Sequence, residues 1–269
     1  MSEDRFTVAV AVDDRAVVLK NLGISPGIRG GKHQLVIREK FLSASTAYNS
    51  ALDAAEHDVV ILIHQDVYLP DAWFTDLMQS LDVLERDRLP WGVLGCFGST
   101  KERWGGVGLV CDTGAGLCGN EIDRPEPVET LDESVLVVRR SSGLRFDAEL
   151  PHFHLYGTDL CMAARARGMT SYAIPAFCIH NTNQLLALPS EFYDCYRFVK
   201  KKWARFLPIH TSCLDITRFD GALRLRRFRE GAKKILGIDR LPLLREEDPR
   251  VLLGANCRQG RAKSRWPQA

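Results

Sequence analysis

The chain lacks any apolar run approaching the ~18 residues that a bilayer-spanning helix needs, so no spanning segment is expected. It lacks a C-x-x-C pair and any His/Cys cluster at zinc-finger spacing. Its eight cysteines (Cys96, Cys111, Cys118, Cys161, Cys178, Cys195, Cys213, Cys257) are scattered, which argues against structural zinc and reads as reduced thiols, several of them filling the core. A lysine-bearing P-loop is missing, as is a G-x-G-x-x-G after a βαβ strand, so neither phosphate-binding motif is claimed. Met1-Ser2-Glu3-Asp4-Arg5 is acidic and no apolar h-region follows it; no secretory signal is read, and a cytoplasmic location is expected. Internal repeats are absent too. What remains is ordinary for a soluble globular protein: 269 residues, 45% hydrophobic and 26% charged, enough to bury a large core.

Charge is unevenly placed behind a net of +2. Residues 1–196 carry 17 Lys/Arg against 27 Asp/Glu, and residues 197–269 carry 19 against 7. A basic C-terminal region behind an acidic body suits an anionic partner such as a lipid headgroup or lipid phosphate. A basic helix packed on the acidic body would account for the same asymmetry, and nucleic acid is not the expected partner.

The most informative segment is Val59–Pro70, where five apolar residues, all but one β-branched, run into His64-Gln65-Asp66. Such a run is what a strand buried on both faces of a parallel sheet requires. Its polar tip then sits at the carboxyl end of the strand, where open α/β sheets place ligands. Upstream, Phe6–Val12 reads as a strand ending at Asp13-Asp14, 15–22 as a helix closed by Gly23, Gln34–Arg38 as a strand, and Ser45–Ala55 as a helix capped by Ser43 or Ser45. Strand, helix, strand, helix, strand predicts a βαβαβ unit and a mostly parallel sheet.

Downstream, a helix is expected over 71–86, with Asp71 set to complement its dipole. Residues 91–120 are glycine-rich, the mark of bulges and turns beside a ligand. Val128–Arg139 reads as one or two strands broken near Asp132-Glu133. A helix follows from Tyr156 to Arg167, stopped by Gly168, and a strand from Ser171 to Ile179 ends at His180-Asn181. Helices are expected over 191–205 and 222–236, the latter rich in arginine. Beyond about Leu241 the Pro/Arg/Gly-rich tail is expected to be mobile. The organisation is then 1–188 as an α/β domain, 189–240 as a helical extension and 241–269 as a basic tail.

In order, these segments resemble the inverting glycosyltransferases of family 2, which have the GT-A fold. The resemblance runs from the first strand to about residue 183. Asp13 or Asp14 stands where that family places an acid near the nucleobase. Ala47-Tyr48-Asn49-Ser50-Ala51-Leu52 is similar to its A-x-N-x-G/A helix, and His64-Gln65-Asp66 falls at its D-x-D. Phe146-Asp147, Tyr156-Gly157-Thr158-Asp159-Leu160-Cys161 and Ala164-Arg165-Ala166-Arg167-Gly168 resemble its F-D … D-L-C-x-R-x-x-x-G block. The His-Gln-Asp form, followed by Val and an aromatic, is similar to a bacterial subgroup.

The resemblance implies a transferase of hexosyl type, moving a sugar from a UDP- or GDP-linked donor to an acceptor hydroxyl with inversion. The acceptor would be a glycan or a lipid-linked glycan in polysaccharide or glycolipid synthesis, with peripheral membrane contact through the basic region. Asp66 and His180 would hold Mn²⁺ or Mg²⁺ against the leaving diphosphate. His64, in place of the family's first Asp, would contact the donor or favour Mn²⁺. Asp13, Asp14, Asn49, Gln65 and Asp132 would contribute to the nucleotide and donor site. Asp159 would be the base that takes the acceptor proton; a helix-end carboxylate that only complements the dipole would look the same. Trp104 is a candidate for stacking on a sugar ring, whereas Tyr68 and Trp73 read as packing. Two rivals stand beside this reading. One is a catalytically silent GT-A scaffold that binds nucleotide or assembles with other proteins. The other is a nucleotidyltransferase, disfavoured because Asp13-Asp14-Arg15 replaces the expected Gly-rich basic loop.

Overall fold

The computed structural model describes residues 5–103, 105–183, 187–235, 244–254 and 257. Trp104 lies outside the described residues, as does most of the tail beyond Gly254.

The first half alternates strand and helix as its hydrophobic pattern requires. β1 (Thr7–Val12) leads through α1 (Arg15–Lys20) and the short α2 (Pro26–Arg29) to β2 (Gln34–Glu39). Then come α3 (Ala44–Ala54), β3 (Val59–His64), β4 (Val67–Tyr68) and α4 (Trp73–Arg86). Ser43 caps α3 by accepting from the Thr46 N–H. Asp14 does the same for α1 through Ala16, satisfying donors that a helix start leaves free. α4 begins two residues later than expected, with Asp76 rather than Asp71 in its first turn.

The glycine-rich stretch forms four strands: β5 (Trp91–Gly95), β6 (Phe97–Ser99), β7 (Val107–Asp112) and β8 (Gly116–Asn120). The run Gly114-Ala115-Gly116-Leu117-Cys118-Gly119 lies in the β7–β8 hairpin, its turn held by Asp112 Oδ1 accepting from Gly114 and Ala115. No helix follows it, so it is not a dinucleotide fingerprint. Next come β9 (Glu126–Val128), β10 (Thr130–Leu131), β11 (Val135–Arg139) and α5 (Tyr156–Ala166). The strand expected over 171–179 is two, β12 (Thr170–Ala173) and β13 (Cys178–His180), belonging to different sheets. α6 (Ser190–Lys202) and α7 (Gly221–Ile235) are the last α-helices among the described residues.

The larger sheet has the order β2-β1-β3-β11-β5-β12-β9. β2, β1 and β3 are parallel, as are β5 and β12, while β11 and β9 run against them. A mostly parallel central sheet flanked by helices is thus the fold class. The second sheet orders β10-β6-β7-β13-β4, with β8 beside β7.

β3 shows why the central sheet is covered twice. Val60 and Leu62 face an apolar layer with Tyr48, Leu52, Phe146, Tyr156 and Tyr196. Ile61 and Ile63 face the other, with Val8, Val10, Trp73 and Leu77. Side chains alternate at period two, so a run of unbroken hydrophobics serves both faces. Each such burial is worth roughly 1.5–3 kcal/mol. Tyr68 and Trp73 are buried, as packing residues should be. α6 contributes Phe192, Cys195, Tyr196 and Val199 to the same layer as α3 and α5, so residues 190–202 share the core of the α/β body.

Two expectations are corrected. Cys111 and Cys257 form a disulfide 146 residues apart in sequence, so they are not free thiols. The segment 244–254 is not a loose tail but packs against the body, with Leu252 in an apolar cluster with Tyr68, Cys111, Ile179 and Cys257. In both cases the partner is remote in sequence, and local composition carried no sign of it.

Candidate functional site

The site forms where the two sheets meet. β1 and β3 run parallel, pairing Ala11 with His64, so Asp13-Asp14 and His64-Gln65-Asp66 leave the sheet side by side. Gln65 Oε1 accepts from the backbone N–H of Asp13 and of Asp14, each at 3.1 Å, and its amide donates to the Asp13 carboxylate. In the second sheet β13 pairs with both β4 and β7, placing His180 opposite Val67 and opposite Asp112. The ends of four strands, β1, β3, β7 and β13, thereby converge on one corner.

His64, Asp66 and His180 offer one ligand atom each, and these atoms lie within 4.8 Å of one another. His64 Nδ1 is 3.3 Å from His180 Nε2, and Asp66 Oδ1 is 3.4 Å from the same nitrogen. The far nitrogens are occupied by oxygen partners. His180 Nδ1 donates to Asp112 Oδ2 at 3.0 Å. His64 Nε2 meets the Tyr156 hydroxyl at 2.5 Å, and that hydroxyl donates to the Glu133 carbonyl at 3.1 Å. Tyr156 thus holds the His64 ring through Nε2, with Nδ1 turned towards His180.

Charge follows from these contacts. Burial, helped by neighbouring His180, lowers His64 to about 4, so it is neutral at physiological pH. Burial also opposes charge on His180, but Asp66 and Asp112 outweigh it and raise His180 well above the ordinary imidazole range. Asp66 is only 7% exposed. Burial opposes its ionisation, yet His180, His64 and Arg245 hold its carboxyl below the usual carboxylate range.

These residues fit a divalent ion. Two imidazoles present one nitrogen each to a carboxylate oxygen, and each ring is oriented through its other nitrogen, the arrangement outer partners impose at metal centres. Because a ligating imidazole must be neutral, an ion held by these atoms would take a proton from His180. Two nitrogen donors suit Mn²⁺ better than Mg²⁺, which prefers oxygen.

Glu133 lies beside the corner at the start of α5. Leu155, before that helix, takes a left-handed conformation (φ 58°), so the N–H groups of Leu155, Tyr156 and Gly157 turn towards the Glu133 carboxylate. Gly157 N–H donates to Oε1 at 3.1 Å. A Cβ at Gly157 would sit 2.9 Å from Glu133 Cγ, so glycine is what lets the carboxylate reach the helix end. Burial and neighbouring Asp132 prevail over those donors and push Glu133 up to about 8.

The other expected residues divide. Asp13, Gln65 and Asp66 join the corner, with Asp14 spending its side chain on the α1 cap. Asp132 is half-buried, bonded to Ser134 N–H and the Ser212 hydroxyl. Asn49 bridges to Phe146 instead: Nδ2 donates to its carbonyl at 2.9 Å and Oδ1 accepts from its N–H at 3.1 Å. That reciprocal pair fastens α3 to the loop before α5.

Asp159 is 1% exposed. Trp203 Nε1 donates to one oxygen at 2.6 Å, and Lys202 Nζ reaches both, at 2.8 and 2.9 Å. Lys202 also pairs with Asp147 at 2.7 Å. Burial pushes the Asp159 carboxyl up, against Lys202 and Trp203. With both oxygens taken and α6 covering it, Asp159 offers no open face to an acceptor hydroxyl. Its dipole-complementing reading is the one this geometry matches.

Sequence reasoning passed over Asp112, Tyr156 as a histidine partner, Glu133 as more than part of a break between strands, and Arg245. Asp112 ends a strand as Asp13 and Asp66 do, and that position was the available signal. Arg245 had none, because it arrives from a segment of ordinary loop composition.

No protein-family model matches the chain. A curated relative from Fuscovulum blasticum, named "ATP synthase subunits region ORF 6", is 31% identical over 156 residues, covering 55% of this chain and 61% of that protein. The chain therefore spans less than two thirds of that relative's length. Among solved structures it is similar to residues 1–349 of S. aureus TarS (TM-score 0.43, 14% identity, 74% of this chain and 65% of that one). The same TarS fragment in complex with UDP gives a TM-score of 0.42 at 14% identity, with 74% and 65% coverage. A197 from STIV gives 0.40 at 12% identity, with 64% and 83% coverage. No residue role is carried over from any of them.

Proposed function

We propose that the protein is a metal-assisted, GT-A-type glycosyltransferase acting on a nucleotide-sugar donor with inversion. The observation that carries this reading is the His64–Asp66–His180 corner at the carboxyl ends of the strands, with Asp112 and Tyr156 orienting the two rings. It stands where the family resemblance places the metal and diphosphate of the donor. Mn²⁺ or Mg²⁺ bound there would supply positive charge against the developing diphosphate. His64 Nδ1, His180 Nε2 and Asp66 Oδ1 would hold the ion, while Asp13 and Gln65 form the adjoining wall towards the nucleoside.

The base role passes from Asp159 to Glu133. A carboxylate raised to about 8 is close to working pH, where a general base combines availability with proton affinity. The backbone donors at the start of α5 fix its orientation, and Asp132 adjoins it.

The acceptor is proposed to be a glycan or lipid-linked glycan, reached at a membrane face through α7. Phe228 is 74% exposed on that helix beside the exposed Arg224, Arg227 and Arg229, and Phe219, 82% exposed, stands just before it. Exposed aromatics among arginines suit an anionic interface. No described helix is long and apolar enough to cross a membrane.

A screen of UDP- and GDP-sugars with Mn²⁺ and Mg²⁺, read by thermal shift and donor hydrolysis, tests the reading. Stabilisation by one donor only in the presence of metal, abolished in Asp66→Ala, is the expected result. No shift with any donor in either metal would sink it.

A further inference from the structure

Arg245 comes from the far end of the chain and reaches the centre of the corner. Its Nη2 donates to Asp66 Oδ2 at 3.1 Å, its Nε to the Asn181 carbonyl at 2.9 Å and its backbone N–H to Asn183 Oδ1 at 2.9 Å. The segment behind it is firmly attached. Glu246 N–H donates to Asn181 Oδ1 at 2.8 Å, and Asn181 Nδ2 returns a bond to the Glu246 carbonyl at 2.9 Å. Asn181 is itself fully buried and bonded to Asn21. Asp248 caps the turn Pro249–Leu252, and Leu252 packs around the Cys111–Cys257 disulfide. Cys111 precedes Asp112, the residue that orients His180. Residues 244–254 and Cys257 are thus fixed to the strands that carry the metal ligands.

We propose that Arg245 is a second cation of this corner and that it binds the diphosphate of the donor alongside the ion, an inference that rests on the nucleotide-sugar reading above. Arg245 takes Oδ2 of Asp66, whereas Oδ1 faces His180, so arginine and ion would share the carboxylate without excluding each other. Nη1 has no hydrogen-bond partner among the described residues, and a guanidinium fork is well matched to phosphate oxygens. Arg245 and a divalent ion would sit on the two oxygens of one carboxylate, and an anionic diphosphate reaching both would be attracted by each. Metal and nucleoside diphosphate should therefore bind cooperatively, each strengthening the other.

Titration calorimetry on the full chain tests this, using Mn²⁺ alone and then UDP and GDP at saturating Mn²⁺. In Arg245→Ala the nucleotide affinity should fall tenfold or more, while Mn²⁺ alone binds as tightly as in the wild type or tighter. Arg245→Lys keeps the charge with fewer directed donors and should recover part of the nucleotide affinity. A purely structural role would weaken both ligands together, and that outcome overturns the proposal, as does an unchanged nucleotide affinity in Arg245→Ala. If Arg245→Ala does not fold, the lysine variant carries the test: an affinity equal to wild type for both ligands counts against directed phosphate recognition. Wild-type protein that binds neither UDP nor GDP would instead remove the nucleotide-sugar reading itself, and this proposal with it.

Discussion

Asp66 and Asp159 are both buried aspartates in contact with a cationic side chain, yet their surroundings give them opposite tasks. Asp66 meets two imidazoles and a guanidinium, and its carboxyl is held below the usual range. Asp159 meets one ammonium and an indole, and burial raises its carboxyl. The first faces a corner of strand ends with other ligand atoms around it. The second is closed over by the end of α6, where Lys202 and the following Trp203 are its partners. A short acidic motif looks alike in either place. What decides the chemistry is whether the element packed opposite brings ligands or a lid.

Four measurements would break or sharpen that contrast. Glu133→Gln, which removes the proposed base while keeping its shape, should reduce sugar transfer by about 10²–10⁴-fold with donor binding retained. Asp159→Asn should leave most of the activity; loss of transfer in a folded Asp159→Asn protein would return the base role to that residue. Asp112→Asn should weaken Mn²⁺ binding by about 10–100-fold, because His180 then lacks the carboxylate that orients it; calorimetry with Mn²⁺ alone reads this without turnover. Asp159→Ala should cost about 3 kcal/mol of stability in denaturant unfolding, as breaking a buried ion pair does, with Mn²⁺ affinity unchanged. A matching fall in metal affinity would mean that the two acidic sites are coupled.

A further effect is the pH dependence of stability. Glu133 keeps its proton in the folded state up to about 8, against an ordinary value of 4.5. Between those values the native state binds more protons than the unfolded one, so this group's contribution is present at low pH and is lost as pH rises through about 8. Stability measured from pH 5 to 8 should fall less steeply in Glu133→Gln than in the wild type. An identical slope would mean that Glu133 is ionised in the folded protein.

Much of the first half was legible in the sequence. The Val59–Ile63 run, the Ser43 cap and the convergence of Asp13-Asp14 with His64-Gln65-Asp66 all follow from local pattern and from the parallel βαβ rule. His180 was legible as a strand end. The Asn49 bridge was not legible, because an asparagine in a helix gives no sign that its amide will meet the backbone of Phe146. The single strand expected over 171–179 divides between two sheets, since a change of sheet leaves no mark in β propensity.

By itself the sequence determined the parallel α/β core and the delivery of an imidazole and a carboxylate to the end of β3, because period-two burial and cap chemistry act over a few residues. Only the tertiary structure decided which acids are open and which are sealed. It brought Asp112 to His180, Glu133 to the start of α5, Lys202 and Trp203 over Asp159, and Arg245 to Asp66. Those pairings join residues 24 to 179 positions apart. Their strength comes from charge and hydrogen bonding in a dry interior, which no local pattern encodes.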